Sequence, residues 1–144
     1  MLARTAKSAS AAFDAAMSRA GGSLPIWLVL LSLKTSRGAS QRAMAEAMGI
    51  QGATLTHHLN GMEAAGLVTR RRDPGNRRVH IVELTETGEE LFDTLRTVAV
   101  TFDEQLRCGL SASVLDEFAR VLGQLGRNID ADATPIAGWG PVIT

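Results

Sequence analysis

Between Gln51 and Asn60 lies a run of side chains that can hydrogen-bond without carrying negative charge: Gln51, Thr54, Thr56, His57 and Asn60, with the small Gly52 and Ala53 among them. A helix over residues 51–65 turns Leu55, Leu59 and Met62 inward at i, i+4 and i+7. Gly52, Ala53, Thr56, His57 and Asn60 then fall on the opposite side, which can approach base edges and phosphates without repulsion. Glutamine suits the donor and acceptor pair of adenine, and threonine can touch the thymine methyl. Reading helices use residues near their N-termini, so Gln51, Thr54, Thr56 and His57 are the candidate base readers. Asn60 is a candidate phosphate contact. The plainer alternative is a solvated helix surface.

A second group is cationic. Arg70, Arg71 and Arg72 precede the turn signal Pro74-Gly75-Asn76, and Arg77 and Arg78 follow it. Arginines at a hairpin tip can enter a narrow minor groove, where the potential is most negative; the alternative is a solvated basic loop. Arg70, Arg71 and Arg72 alternate around a strand, so they cannot all face one side. One of them is expected to pair with an acid, and Arg72 belongs with the tip. Arg37, Ser40 and Gln41 stand at the start of a short helix, and helix N-termini attract phosphate.

Catalytic chemistry lacks its parts. There is no phosphate-cradling glycine loop, no nucleophile elbow and no metal constellation. His57, His58 and His80 have no Cys, Asp or Glu companions at ligand spacing. No catalytic residue, metal or cofactor is therefore expected. The lone Cys108 excludes an intrachain disulfide and fits a reducing compartment. Arg107 beside it could favour a thiolate and a redox-responsive role. Free cysteine is more often buried and inert, and a buried thiol is the expectation here.

Composition sets the frame. The 144 residues suit one domain, and an apolar fraction of 45% is ample for a core. The apolar stretch 24–33 falls short of the ~20 residues that span a bilayer and contains Pro25 and Ser32. The N-terminus has no signal-peptide profile, so the expected location is cytoplasmic, with no membrane partner. Net charge is zero, yet residues 34–80 hold eight basic and three acidic side chains, a surplus of +5 balanced by −5 elsewhere. A concentrated positive segment is the footprint of phosphate contacts.

The elements that position these groups follow from periodicity and punctuation. Leu2, Ala6, Ala9, Phe13, Met17 and Ala20 mark a helix over 2–20, ended by Gly21-Gly22. Ser23 and Pro25 open a nearly all-apolar helix over 24–36, the central core helix. Ser40 caps a short helix with Met44, Ala45 and Met48 inward, and Gly49-Ile50 is the turn to the 51–65 helix. Residues 67–70 and 79–84 form two strands around the basic tip. Thr85 starts a helix to 107 with Leu91, Leu95, Val98, Phe102 and Leu106 in one stripe. Ser111 starts another to 129, with Leu115, Phe118, Leu122, Leu125 and Ile129. These stripes are similar to coiled-coil seams and exceed what the centre needs, so they predict a helical dimer interface that includes the first helix.

The fold class is thus mainly α with a small β-hairpin wing: a winged helix-turn-helix flanked by N- and C-terminal dimerisation helices. Residues 1–22 and 85–130 are the dimerisation region, 23–84 the DNA-binding region and 131–144 an irregular tail. A winged-helix module that binds protein through the same face is the competing reading, and the wing-region arginines weigh against it.

Three stretches carry a resemblance to the MarR family of bacterial transcription regulators: Ser40-Gln-Arg-Ala-Met-Ala-Glu-Ala-Met-Gly-Ile50, Gly61-Met-Glu-Ala-Ala-Gly-Leu-Val68, and Asp73-Pro-Gly-Asn-Arg-Arg-Val-His-Ile-Val-Glu-Leu-Thr-Glu-Thr-Gly88. The last is the most specific. The resemblance extends over residues 2–129. It implies a homodimer through the first, fifth and sixth helices, the 51–65 helix in the major groove of a pseudo-palindromic duplex and the wing at the minor groove. It also implies a repressor released by a small aromatic or anionic molecule. Phe13, Met17, Trp27, Met44 and Phe92 are the candidate lining of that site, with ordinary core packing as the alternative. The chain departs from the family at Asn76, where the wing usually has an Asp two residues before its groove-inserting arginine, here Arg78.

Overall fold

The computed structural model describes residues 1–35, 40–72, 75 and 80–129, apart from the His80 side chain. Among these are six helices and one hairpin: α1 (Leu2–Arg19), α2 (Leu24–Thr35), α3 (Gln41–Met48), α4 (Gly52–Ala64), β1 (Val68–Arg72), β2 (His80–Leu84), α5 (Glu86–Arg107) and α6 (Ala112–Ile129). The chain forms two compact units, residues 1–102 and 103–144. Among the described residues no single helix is long and apolar enough to cross a membrane.

The core of the first unit is built around α2. Trp27, Val29 and Leu30 are buried, and the remaining apolar residues of this helix are half-buried, as expected of a helix apolar on most sides. Leu55, Leu59 and Met62 of α4, Met44 and Ala45 of α3, and Phe92, Leu95 and Ala99 of α5 complete it. Trp27 stacks on Phe92, with ring centroids 5.6 Å apart and planes 11° from parallel. Phe13 meets Phe102 edge-on at 5.1 Å. On the first helix Met17 is fully enclosed, whereas Leu2 and Ala6, in the stripe assigned to the expected dimer interface, are exposed in the single chain. On α5 the buried set is Phe92, Leu95 and Ala99, one step around from the predicted stripe, and Leu106 is exposed.

Local punctuation explains the boundaries. Ser23 Oγ accepts from the Ile26 N–H at 3.3 Å, and Asp14 of α1 accepts from the Leu24 N–H at 2.8 Å. Two side chains thus satisfy the first orphan donors of α2, and the second ties α1 to it. Gly49 and Gly66 both adopt the left-handed conformation, φ 65° and 71°. Each is followed by a residue whose N–H reaches five positions back, Ile50 to Ala45 and Leu67 to Met62, which closes the helix in a Schellman motif.

The hairpin is antiparallel, with Val68 opposite Leu84 and Arg72 opposite His80. Its first strand begins and ends later than the predicted 67–70, because Leu67 is used to terminate α4. Thr85 then joins three elements. Its N–H donates to the Leu67 carbonyl at 3.1 Å, and its hydroxyl donates to the Gly66 carbonyl at 2.6 Å. The same hydroxyl oxygen caps α5 by accepting from the Gly88 N–H at 3.0 Å. Gly88 lies so close to this strand that a Cβ there would land on the Leu67 carbonyl oxygen.

Gly88→Ala is therefore expected to destabilise the chain by about 2 kcal/mol or more, the scale of overpacking against rigid backbone. Gly61→Ala is the contrast. Gly61 lies inside α4 with open space where a Cβ would go, so alanine should stabilise by roughly 0.5–1 kcal/mol. Urea unfolding of the two variants measures both; equal effects would show that the close approach at Gly88 is relaxed at little cost.

Candidate nucleic-acid interface

The helix-turn-helix presents its polar face as its caps dictate. Ser40 stands in extended geometry before α3, and its Oγ accepts from the Ala43 N–H at 3.2 Å. That lone pair is engaged, while the hydroxyl hydrogen can still donate outward. Gln51 occupies the N-cap position of α4 in extended geometry, and its side chain makes no cap hydrogen bond. It is exposed, as are Gly52, Ala53, Thr54, Thr56, His57 and Asn60. Leu55, Leu59 and Met62 beneath them are at most 2% exposed, so the face is held on a rigid floor.

The free chemistry of that face is narrower than its composition. Thr56 donates its hydroxyl hydrogen to the Gly52 carbonyl at 2.9 Å, which leaves its methyl and an acceptor facing outward. Asn60 Oδ1 accepts from Arg70 Nη2 at 2.7 Å. Gln41 is half-buried and lines a cleft of about 390 Å3 with Arg42, Ala45, Glu46, Ile50, Gly52 and Thr56. Its Nε2 is buried and has no hydrogen-bond partner among the described residues. His58 is half-buried beside His57, with ring centroids 5.9 Å apart. Among the described residues no three His, Cys, Asp or Glu side chains could hold a metal ion together.

The arginines of β1 divide by register. Arg70, 20% exposed at its side chain, reaches back to Glu63 of α4 with Nε at 3.0 Å and Nη2 at 2.5 Å. Arg71 grips Glu83 of β2 through two parallel bonds of 3.0 and 2.9 Å. Two of the three therefore pair with acids, where one was expected. Sequence reasoning missed Glu63 and Glu83. The second was recoverable once the register was known, since Thr69 opposite Glu83 makes Arg71 its diagonal neighbour. Both carboxyls sit below the usual carboxylate range, chiefly through the arginine hydrogen bond and then its charge.

Pairing also lowers the positive surplus. Lys34 meets Glu89 at 2.6 Å and Arg42 meets Glu46 at 2.9 Å. Glu83 and Glu89 lie outside residues 34–80, so including them leaves +3 in place of +5. Arg72 is exposed and has no acid partner among the described residues. Arg37, Arg77, Arg78, Asp73 and Asn76 lie outside the described residues.

Met17, Trp27, Met44 and Phe92 are 0, 4, 1 and 7% exposed and Phe13 is half-buried, burial that fits the core packing set beside the ligand reading. A groove of about 470 Å3 lies elsewhere, among Leu33, Lys34, Arg71, Ile81, Val82, Glu83, Leu84 and Glu89. Cys108 is exposed, not buried. It sits past the last turn of α5, where its N–H meets the Gln105 carbonyl at 3.2 Å. Arg107 is already paired with Asp103 at 2.8 Å.

Comparison with known proteins agrees with this geometry. The family model of the MarR family matches residues 23–80, the stretch from α2 to the start of β2. The HTH-type transcriptional regulator YdgJ of Bacillus subtilis is 30% identical over 91 residues, 63% of this chain. That match spans 56% of the relative, just over half its length. The crystal structure of the transcriptional regulator PA3341 is 30% identical, covering 90% of this chain and 96% of that one with a TM-score of 0.77. CouR of Rhodococcus jostii RHA1 is 25% identical in two structures. Bound to p-coumaroyl-CoA it covers 94% of this chain and 92% of its own, with a TM-score of 0.75. As a transcriptional repressor bound to a 23-mer DNA duplex it covers 88% and 89%, with a TM-score of 0.79. From α2 through the capped polar helix to the start of the second strand, residues 23–80, the chain thus carries the winged helix-turn-helix pattern of the MarR family.

Proposed function

We propose that the chain is a dimeric, sequence-specific reader of double-stranded DNA in the cytoplasm that regulates transcription. It acts as a repressor relieved by a small-molecule ligand. The observation that carries this reading is the exposed face of α4. From Gln51 to Asn60 it offers hydrogen-bonding groups and no acid, and Glu63, the acid one turn further on, is neutralised by Arg70. On this reading Gln51, Thr54, Thr56 and His57 meet base edges. Ser40, Arg72 and, from sequence, Arg37, Arg77 and Arg78 meet the backbone and minor groove. CouR, captured with DNA and with an acyl-CoA, supports a regulator with both kinds of partner. For such relief the ligand must bind the DNA-free arrangement more tightly than the DNA-bound one.

Dimerisation is supported by a surface that water does not favour. Val114, Phe118, Val121, Leu125 and Ile129 are all exposed on α6 and recur every three or four residues. Leu115 and Leu122, counted in the expected stripe, are half-buried instead. An exposed apolar stripe of this kind marks an interaction site, and a second copy supplies a matching one. A two-fold dimer sets its two reading helices into successive major grooves, roughly 34 Å apart.

Two measurements test the proposal. In a mobility-shift assay with duplexes selected from a randomised pool, the wild-type chain should favour pseudo-palindromic sites. Affinity should fall about a thousandfold from 50 to 200 mM salt if about six phosphates are neutralised. No specific band at physiological salt would favour the protein-interaction module instead. Separately, the double variant Phe118→Glu, Val121→Glu should sediment as a monomer with its helical content retained, and lose DNA affinity. A dimer of wild-type stability would remove α6 from the interface.

A further inference from the structure

Asn60 is the ninth residue of α4 and lies on the exposed face, four residues beyond Thr56 and seven beyond Ala53. Three residues further on is Glu63, which the helical period places on the same side. Arg70 of β1 binds both: its Nη2 donates to Asn60 Oδ1 at 2.7 Å and to Glu63 at 2.5 Å. A guanidinium has donors and no acceptor. It can therefore hold only the oxygen of the Asn60 amide, and the amide nitrogen must occupy the other branch. The guanidinium thus fixes which end of Asn60 looks away from β1.

We infer that Asn60 is a DNA phosphate contact whose amide is set by Arg70 to present N–H donors alone. The inference rests on the DNA-binding reading above. An asparagine that reads adenine needs its oxygen and its nitrogen together on the outward side, and here the oxygen is turned toward Arg70. What remains exposed is a donor pair, which complements phosphate oxygens. Its position agrees. Asn60 is roughly 12 Å along the helix axis from Gly52, at 1.5 Å per residue, whereas base reading is concentrated near the N-terminus. It is also tethered to the strand that leads into the wing, not to the turn between α3 and α4. Arg70 has two effects here: it neutralises Glu63, which would repel a phosphate, and it orients the neighbouring amide toward one.

The test uses the full chain and two labelled duplexes read by fluorescence anisotropy at low salt. One is selected from a randomised pool by the wild-type chain, and the other is a scrambled duplex of the same composition. Asn60→Asp keeps an oxygen for Arg70 but replaces the outward donors with a carboxylate oxygen. It should weaken both duplexes by well over tenfold, since a hydrogen bond to a charged group is lost and a carboxylate is set against a phosphate, and leave their ratio unchanged. Asn60→Ala removes the donors without adding charge, and should weaken both by about tenfold. It also decides the matter if the aspartate variant melts at a lower temperature than wild type. Unchanged affinity in the alanine variant overturns the inference, as does a loss confined to the selected duplex, which would make Asn60 a base reader. A wild-type chain that binds neither duplex overturns the DNA-binding reading itself.

Discussion

The close approach of two backbones at Leu67 and Gly88 is the constraint on which the helix-turn-helix and its hairpin depend. Leu67 ends α4 by its N–H and receives the Thr85 N–H on its carbonyl. Gly88 leaves space for that carbonyl only because it has no Cβ. Thr85 fills the remaining valences, donating to Gly66 and capping α5 with one hydroxyl. The C-terminus of the exposed helix, the base of the hairpin and the first turn of α5 are consequently one hydrogen-bonded junction. A rotation of α5 cannot leave α4 where it was. On the proposed reading, an element that signals ligand occupancy to α4 needs such a rigid joint, because packed interfaces switch between discrete arrangements and do not deform continuously.

Much of this was legible in the sequence, and the reasons are physical. The helices could be read because their ends are chemically marked: Ser40 by a side-chain cap, Gly49 and Gly66 by a left-handed conformation, Thr85 by its hydroxyl. The α4 face was legible because Leu55, Leu59 and Met62 fix which side is inward. What escaped depends on groups brought together from distant parts of the chain. Asp14 caps a helix ten residues on, Arg70 reaches Glu63 across a turn, and Lys34 finds Glu89 on another helix. None of these follows from periodicity. The same limit applies to Phe13, Met17, Trp27, Met44 and Phe92. Apolar periodicity shows that such residues turn inward, but not whether they enclose a void or one another.

Charge illustrates the difference between counting along a chain and counting in space. Lys34, Arg42, Arg70 and Arg71 are all described as basic by sequence, and each has a carboxylate within ion-pair distance. Most of these pairs are exposed, so each contributes little to stability. Their larger consequence is for the field. A paired arginine attracts a distant phosphate far less than a free one, and screening at physiological ionic strength confines what remains to about 8 Å. On the DNA-binding reading, non-specific attraction is then modest and comes mainly from Arg72 and the hairpin-tip arginines. On the same reading discrimination falls to oriented hydrogen-bonding groups near the start of α4, Gln51 free at its cap and Thr56 reduced to a methyl and an acceptor, while Asn60, reduced to donors, holds the backbone in register. Each internal bond that removes one alternative from these side chains makes the surface less tolerant of the wrong base or a misplaced phosphate. A chain of zero net charge can recognise a polyanion in this way, because selectivity is a difference between affinities and does not require a large sum of charges.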